Sequence, residues 1–154
     1  MSIRLTADEA WDVLARAHTG ILTTLRRDGS PIALPIWFVA LDRTICFSAP
    51  SQTKKVARIR HDPRASFLVE SGARWAELCA VHLSGTVEVV ENDADRARIH
   101  EALDEKYASF RTARGNMPDA TRQHYSSGRT FFRLAPGPRV LTWDNSRIEL
   151  KEGA

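Results

Sequence analysis

The sequence predicts a mainly β domain: a small antiparallel barrel of six or seven short strands with few helices. Three observations carry this. From Gly20 onward the apolar period is two over several short stretches. Tight-turn signals separate those stretches, Asp28-Gly29 most clearly. The regular alternation of strands and helices that a doubly wound sheet needs is missing. At 154 residues the chain is long enough for one domain with a real core and short for two, so residues 1–154 are read as a single domain.

The elements follow in order. Thr6-Ala7-Asp8-Glu9 has the capping-box pattern, and Ala10, Val13, Leu14 and Ala17 recur at helical spacing. This predicts an amphipathic helix from about Ala7 to Ala17. The stretch 20–48 then holds three strands, with Asp28-Gly29 as the first turn and Asp42-Arg43 as a weaker second. Pro31 and Pro35 cannot donate ladder hydrogen bonds, so Pro35 points to an edge or a bulge. Ser51 can cap a second helix from about Gln52 to His61, with Val56 and Ile59 inside and Pro63 ending it. "ASFLVES" and "ELCAVHLSGTVEVVE" are further strands; in the second, Val81, Leu83, Gly85, Val87 and Val89 alternate with polar residues, and Gly85 marks a bend or bulge. Residues 93–107 read as a helix with Ile99, Ala102, Leu103 and Tyr107 inside, and Arg98, Glu101, Asp104, Glu105 and Lys106 on a solvated face. A short helix follows Pro118. "RTFFRLA" and "RVLTWD" are the last two strands.

Composition is that of an ordinary globular protein, with 43% hydrophobic and 27% charged residues. The net charge of +3 suits an anionic ligand without demanding nucleic acid. Two cysteines in apolar runs and an N-terminus without a signal-like apolar run predict a cytoplasmic protein with unpaired thiols. No apolar run is long enough for a membrane helix. The five histidines have no metal-ligand spacing, so no metal site is expected. P-loop, Rossmann and nucleophile-elbow motifs are absent.

One segment stands out: "SAPSQTKKVARIRHDPRAS", residues 48–66. A helix start offers free N–H groups and a positive dipole end to a phosphate. Ser48, Ser51 and Thr53 add hydroxyls, and Lys54 and Lys55 add charge. Cations in a first helical turn are unfavourable by about 0.3–1 kcal/mol, which a bound anion would explain. A solvated basic helix explains the same charges equally well. Trp37, Trp75 and Trp143 are suited to wall a flat ring system, although any single tryptophan is more often core packing.

The ordered series D-G-x-P, P-x-W-F, a lysine-bearing helix, D-P-R-A and G-T-V-E-V-V resembles the split β-barrel flavin-binding family related to pyridoxamine 5′-phosphate oxidase. It is closest in style to the branch that uses the deazaflavin coenzyme F-420, and the resemblance spans roughly residues 5–145. It implies a homodimer with two cofactor sites at the interface and no nucleic-acid or membrane partner. Lys55 matches the lysine on the cofactor phosphate, supported by Ser48, Ser51, Thr53 and Lys54. Pro35, Ile36 and Trp37 match the strand along the ring system. Trp75 matches an aromatic reaching the site from the partner chain, and Trp143 one near the rings. Thr53 stands where relatives carry arginine and Arg58-Ile59 where they carry Asn-Leu, so the phosphate grip is shared with Lys54 and Arg58.

The implied function is an oxidoreductase that transfers a hydride from F-420 to a small conjugated substrate bearing C=C, C=O or C=N. Two alternatives remain open: an FMN-dependent enzyme of the pyridoxamine-phosphate-oxidase kind, and a carrier that binds flavin or haem without turnover. No catalytic acid is nominated; Tyr125, His82 and solvent are the available proton sources.

Overall fold

The structure, a computed structural model, describes residues 2–126 and 128–151. Its elements are α1 (Ala7–Arg16), β1 (Gly20–Leu25), β2 (Pro31–Ile36), β3 (Val39–Leu41), β4 (Thr44–Pro50), α2 (Lys54–His61), β5 (Arg64–Ser71), β6 (Cys79–Val89), α3 (Asp93–Tyr107), α4 (Asp119–Ser126) and β7 (Arg129–Asp144). The strands form one antiparallel sheet in the order β2-β1-β5-β6-β7-β4-β3. The two edge strands are consecutive in sequence, and only Trp37 and Phe38 join them. Two residues span roughly 10 Å at most from strand to strand. The sheet must therefore curl until its edges nearly meet, which makes a barrel split between β2 and β3.

Local chemistry sets the turns. Thr6 Oγ1 accepts from the Glu9 N–H at 3.3 Å and the Glu9 carboxylate accepts from the Thr6 N–H at 2.7 Å, so the capping box starts α1. Gly29 takes φ +83° in the first hairpin, where Asp28 accepts from both the Ser30 N–H and its hydroxyl. Asp42 and Arg43 both have positive φ, as a two-residue primed turn requires. Pro31 and Pro35 lie on the edge strand β2, where a missing donor does no harm.

Two expectations need correcting. Ser51 does not cap α2. The cap position belongs to Thr53, whose hydroxyl donates back to the Pro50 carbonyl, while Ser51 bonds Thr130 across the β4–β7 pair at 2.9 Å. The expected break between the last two strands is also absent: β7 runs unbroken from Arg129 to Asp144. Its Pro136 faces Gly85, where the β6 register shifts, so the irregular ladder there asks little of a proline. A Cβ on Gly85 would lie 2.0 Å from the Ala135 carbonyl oxygen, which is why glycine occupies the bulge.

The barrel interior is packed with Leu14, Leu22, Phe38, Phe47, Phe67, Leu83, Phe132 and Leu134, all essentially inaccessible. A second cluster of Val39, Cys46, Ile99, Leu103, Tyr107 and Phe131 seats α3 on β3 and β4. No helix among the described residues is long and apolar enough to cross a membrane.

Candidate functional site

An open cleft of about 790 Å³ lies where the edge strand β2, the end of β4 and the start of α2 meet. That volume lies within the range of sites that hold cofactor-sized ligands. One wall is Pro35, Ile36 and Trp37. The floor is Ser48 and Thr53, and the rim carries Lys54, Lys55 and Arg58. Most of the residues singled out in the sequence thus face one space.

Lys54, Lys55 and Arg58 are grouped in this corner. Among the described residues no ion pair involves Lys54, Lys55 or Arg58. Burial first, then the neighbouring Arg58 and Arg129, push the Lys55 ammonium below its ordinary value. Burial and Arg26 lower Arg58 likewise. Arg58 Nε donates to Thr24 on β1 at 3.1 Å, and Arg129 donates to the Ser48 hydroxyl at 3.0 Å and its carbonyl at 3.2 Å. These bonds aim the guanidinium groups. A lysine whose proton affinity burial and two neighbouring guanidinium groups depress, beside an α2 start that no side chain caps, makes a site for an anion with several acceptor oxygens.

The opposite end of the cleft is aromatic. Trp37 is 39% exposed, and the Tyr107 ring stacks on it, with centroids 4.4 Å apart and planes 1° from parallel. His18 meets both rings edge-on, at 5.9 and 5.3 Å. A charged corner and an aromatic wall in one cleft suit a planar ring ligand with a phosphorylated side chain. The donor set and the volume fit a flavin or deazaflavin mononucleotide.

Several residues enter differently from the sequence reading. Ser51 faces Thr130 and does not line the cleft. Trp75 is 59% exposed in the loop before β6, and Trp143 lines a separate apolar groove of about 530 Å³ with Trp11 and Val140. Neither tryptophan reaches the cleft within one chain. Lys106 is not on a solvated face: its Nζ donates to the Phe38 carbonyl at 3.0 Å. His82 does not line the cleft, and its Nδ1 is buried without a hydrogen-bond partner among the described residues. The Tyr125 side chain lies outside what the structure describes.

Thr19, Leu103, Tyr107, Arg111, His124 and Arg129 also line the cleft. They come from four separate parts of the chain, and long-range pairing brings them in. Arg129 arrives because β7 pairs with β4 through Pro50. Only its place beside "TFF" at a strand start hinted at a role. Among the described residues no group of three or more His, Cys, Asp or Glu is placed to hold a metal ion.

Residues 6–137 match the family model described as pyridoxamine 5′-phosphate oxidase. No curated protein matches closely. Solved structures do. A conserved hypothetical protein of Mycobacterium tuberculosis is 25% identical, with a TM-score of 0.79 over 99% of this chain and 95% of that one. An FAD-binding protein of Mycobacterium smegmatis is 22% identical, with a TM-score of 0.63 over 90% and 94%. An F420 reductase is 21% identical, with a TM-score of 0.61 over 84% and 94%.

Proposed function

Because the chain belongs to the pyridoxamine 5′-phosphate oxidase family, we propose that its cleft binds coenzyme F-420 and that it is a cytoplasmic oxidoreductase acting on a small conjugated C=C, C=O or C=N substrate. The observation that carries this reading is the group of Lys54, Lys55 and Arg58, none of them in an ion pair among the described residues, lining one cleft with Trp37. When bound, the reduced deazaflavin supplies a hydride, two electrons at once.

The chain's own residues then have three tasks. Lys55, Arg58 and Arg129 neutralise the phosphate through charge-assisted hydrogen bonds, with Lys54, Thr53 and Ser48 at the edges. Pro35, Ile36 and Trp37 lie along the ring and keep water from that face. The open side of the cleft admits the substrate. In the homodimer, Trp75 and Trp143 of the partner subunit close the site. The exposed Val140 and Leu141 beside Trp143 are the apolar surface that pairing would cover.

FMN is the second reading, favoured by the family's own description and by the FAD-binding neighbour. An ordinary flavin would fit the same corner and make the protein an FMN-dependent oxidase or reductase. A carrier without turnover, for flavin or haem, is the third.

The test is a titration of the purified protein with F-420, FMN and haem, followed by tryptophan emission and visible absorbance. The proposal expects tightest binding of F-420 and turnover of a conjugated enone with the reduced coenzyme. Tighter FMN binding assigns the second reading. Binding without turnover of any conjugated acceptor assigns the carrier.

A further inference from the structure

Trp37 and Phe38 form the bridge between the two barrel edges, and neither ladder holds it. The β2 pairing ends at Ile36 and the β3 pairing begins at Val39. Phe38 is nevertheless fully buried, so its N–H and carbonyl need partners other than solvent. Two consecutive residues at the end of α3 supply them. The Tyr107 hydroxyl accepts from the Phe38 N–H at 2.9 Å, and its one proton lies within reach of the His18 carbonyl at 2.7 Å and the Phe38 carbonyl at 2.9 Å. Lys106 Nζ donates to the Phe38 carbonyl and stands 4.0 Å from the centre of the Phe38 ring. The Tyr107 ring also covers one face of Trp37.

We propose that Lys106 and Tyr107 are positioning residues for the bound ring: they fix the Trp37 indole as the immobile wall of the cleft. This rests on the reading that the cleft holds a planar cofactor. Lys106 does not line the cleft and acts through Phe38 and Trp37, whereas Tyr107 stacks on Trp37 and also lines the cleft. A side chain on an unpaired two-residue bridge would otherwise sample several rotamers, and the ring ligand would have to order it on binding. The lysine is suited to the carbonyl because its stem packs along the helix while its head reaches both the carbonyl oxygen and the ring face of Phe38.

Trp37 quenching and anisotropy are read in the full chain with Trp11→Phe, Trp75→Phe and Trp143→Phe, which leaves Trp37 as the sole indole, while cofactor and phosphate affinities are measured in the parent that keeps all four tryptophans. Lys106→Met should make Trp37 more accessible to acrylamide and lower its emission anisotropy. It should weaken FMN or F-420 binding by about fivefold, the share of one ordinary hydrogen bond, and leave the affinity for inorganic phosphate unchanged. Lys106→Arg should restore both readings. Where Lys106→Met does not fold, Tyr107→Phe keeps the stack, removes the hydroxyl and should move the same readings the same way. Unchanged Trp37 quenching and cofactor affinity in these variants would overturn the proposal. So would an equal loss of phosphate affinity, which would make the effect a general one on the cleft. A parent protein that binds phosphate but neither ring cofactor overturns both this inference and the reading beneath it; one that binds the rings with unaltered Trp37 behaviour in the variants overturns the inference alone.

Discussion

Replacing Lys55 with methionine should make the free protein more stable and its cofactor complex weaker. The two signs come from one feature. In the free protein Lys55 occupies the first turn of α2, where a cation costs about 0.3–1 kcal/mol against the helix dipole. It also faces Arg58 and Arg129, which together with burial hold its ammonium below the ordinary 10.5. Methionine keeps most of the buried stem and removes both penalties. A gain of about 1 kcal/mol would raise Tm by roughly 2–4 °C for a chain of this size. The pH dependence has a definite sign. A lysine whose folded pKa is lowered binds fewer protons than its unfolded counterpart, so the stability of the parent rises with pH from the lowered value toward 10.5. The variant loses that rise. In the complex, the lost charged hydrogen bond to phosphate is worth about 1.5–3 kcal/mol, or roughly 10–150-fold in Kd. Thermal melts without ligand and fluorescence titrations with FMN and F-420 measure the two effects separately. A lower Tm with unchanged affinity for every cofactor would refute the argument, because Lys55 would then be a structural cation.

Three further outcomes are expected. Gly85→Ala should destabilise the fold by about 1–3 kcal/mol or more, measured by urea unfolding, because its Cβ meets the Ala135 carbonyl oxygen at 2.0 Å. Burial lowers Lys106 to about 8, so it should add about 1–2 kcal/mol of stability between pH 8 and 10.5, discounted for its partial exposure, and Lys106→Met should remove that share while leaving the one from Lys55. Tyr107, which burial pushes above its ordinary 10, acts with the opposite sign at the upper end, so denaturation midpoints below about pH 10 carry the test. Leu141→Asp should leave the barrel folded and convert a dimer to monomers in sedimentation, with loss of cofactor affinity; monomers in the parent, or a variant still dimeric, would contradict the interface assigned to β7.

Local signals in the sequence were informative where a few neighbouring residues decide the outcome. The capping box started α1 at Ala7, Asp28-Gly29 and Asp42-Arg43 made hairpins, Pro35 lay on an edge, and Gly85 marked a bulge. The cleft was half legible for the same reason: Pro35 to Trp37 and Ser48 to Arg58 are two short runs of chain. Its other half was not, because Arg129 and Tyr107 reach it only through the β4–β7 pairing and the docking of α3. Lys106 read as a surface residue because of its charge, although helical spacing sets it seven positions after Ile99 on the buried side, and nothing local shows that the Phe38 carbonyl awaits it. Ser51 failed as a cap because Thr130, distant in sequence, is the nearer partner. The prolines and glycine at 136–138 mimicked a strand break, because tolerance of an irregular ladder depends on the partner strand.

The most direct measurement is to remove the phosphate from the ligand while leaving the protein intact. Affinities of the wild-type chain for FMN and riboflavin, and for F-420 and its unphosphorylated ribityl deazaflavin, should differ by at least about 100-fold in favour of the phosphorylated member of whichever pair binds. That is the effect of two charged hydrogen bonds of about 1.5 kcal/mol each. Equal affinities within both pairs would mean that the corner formed by Lys55, Arg58 and Arg129 does not hold a phosphate.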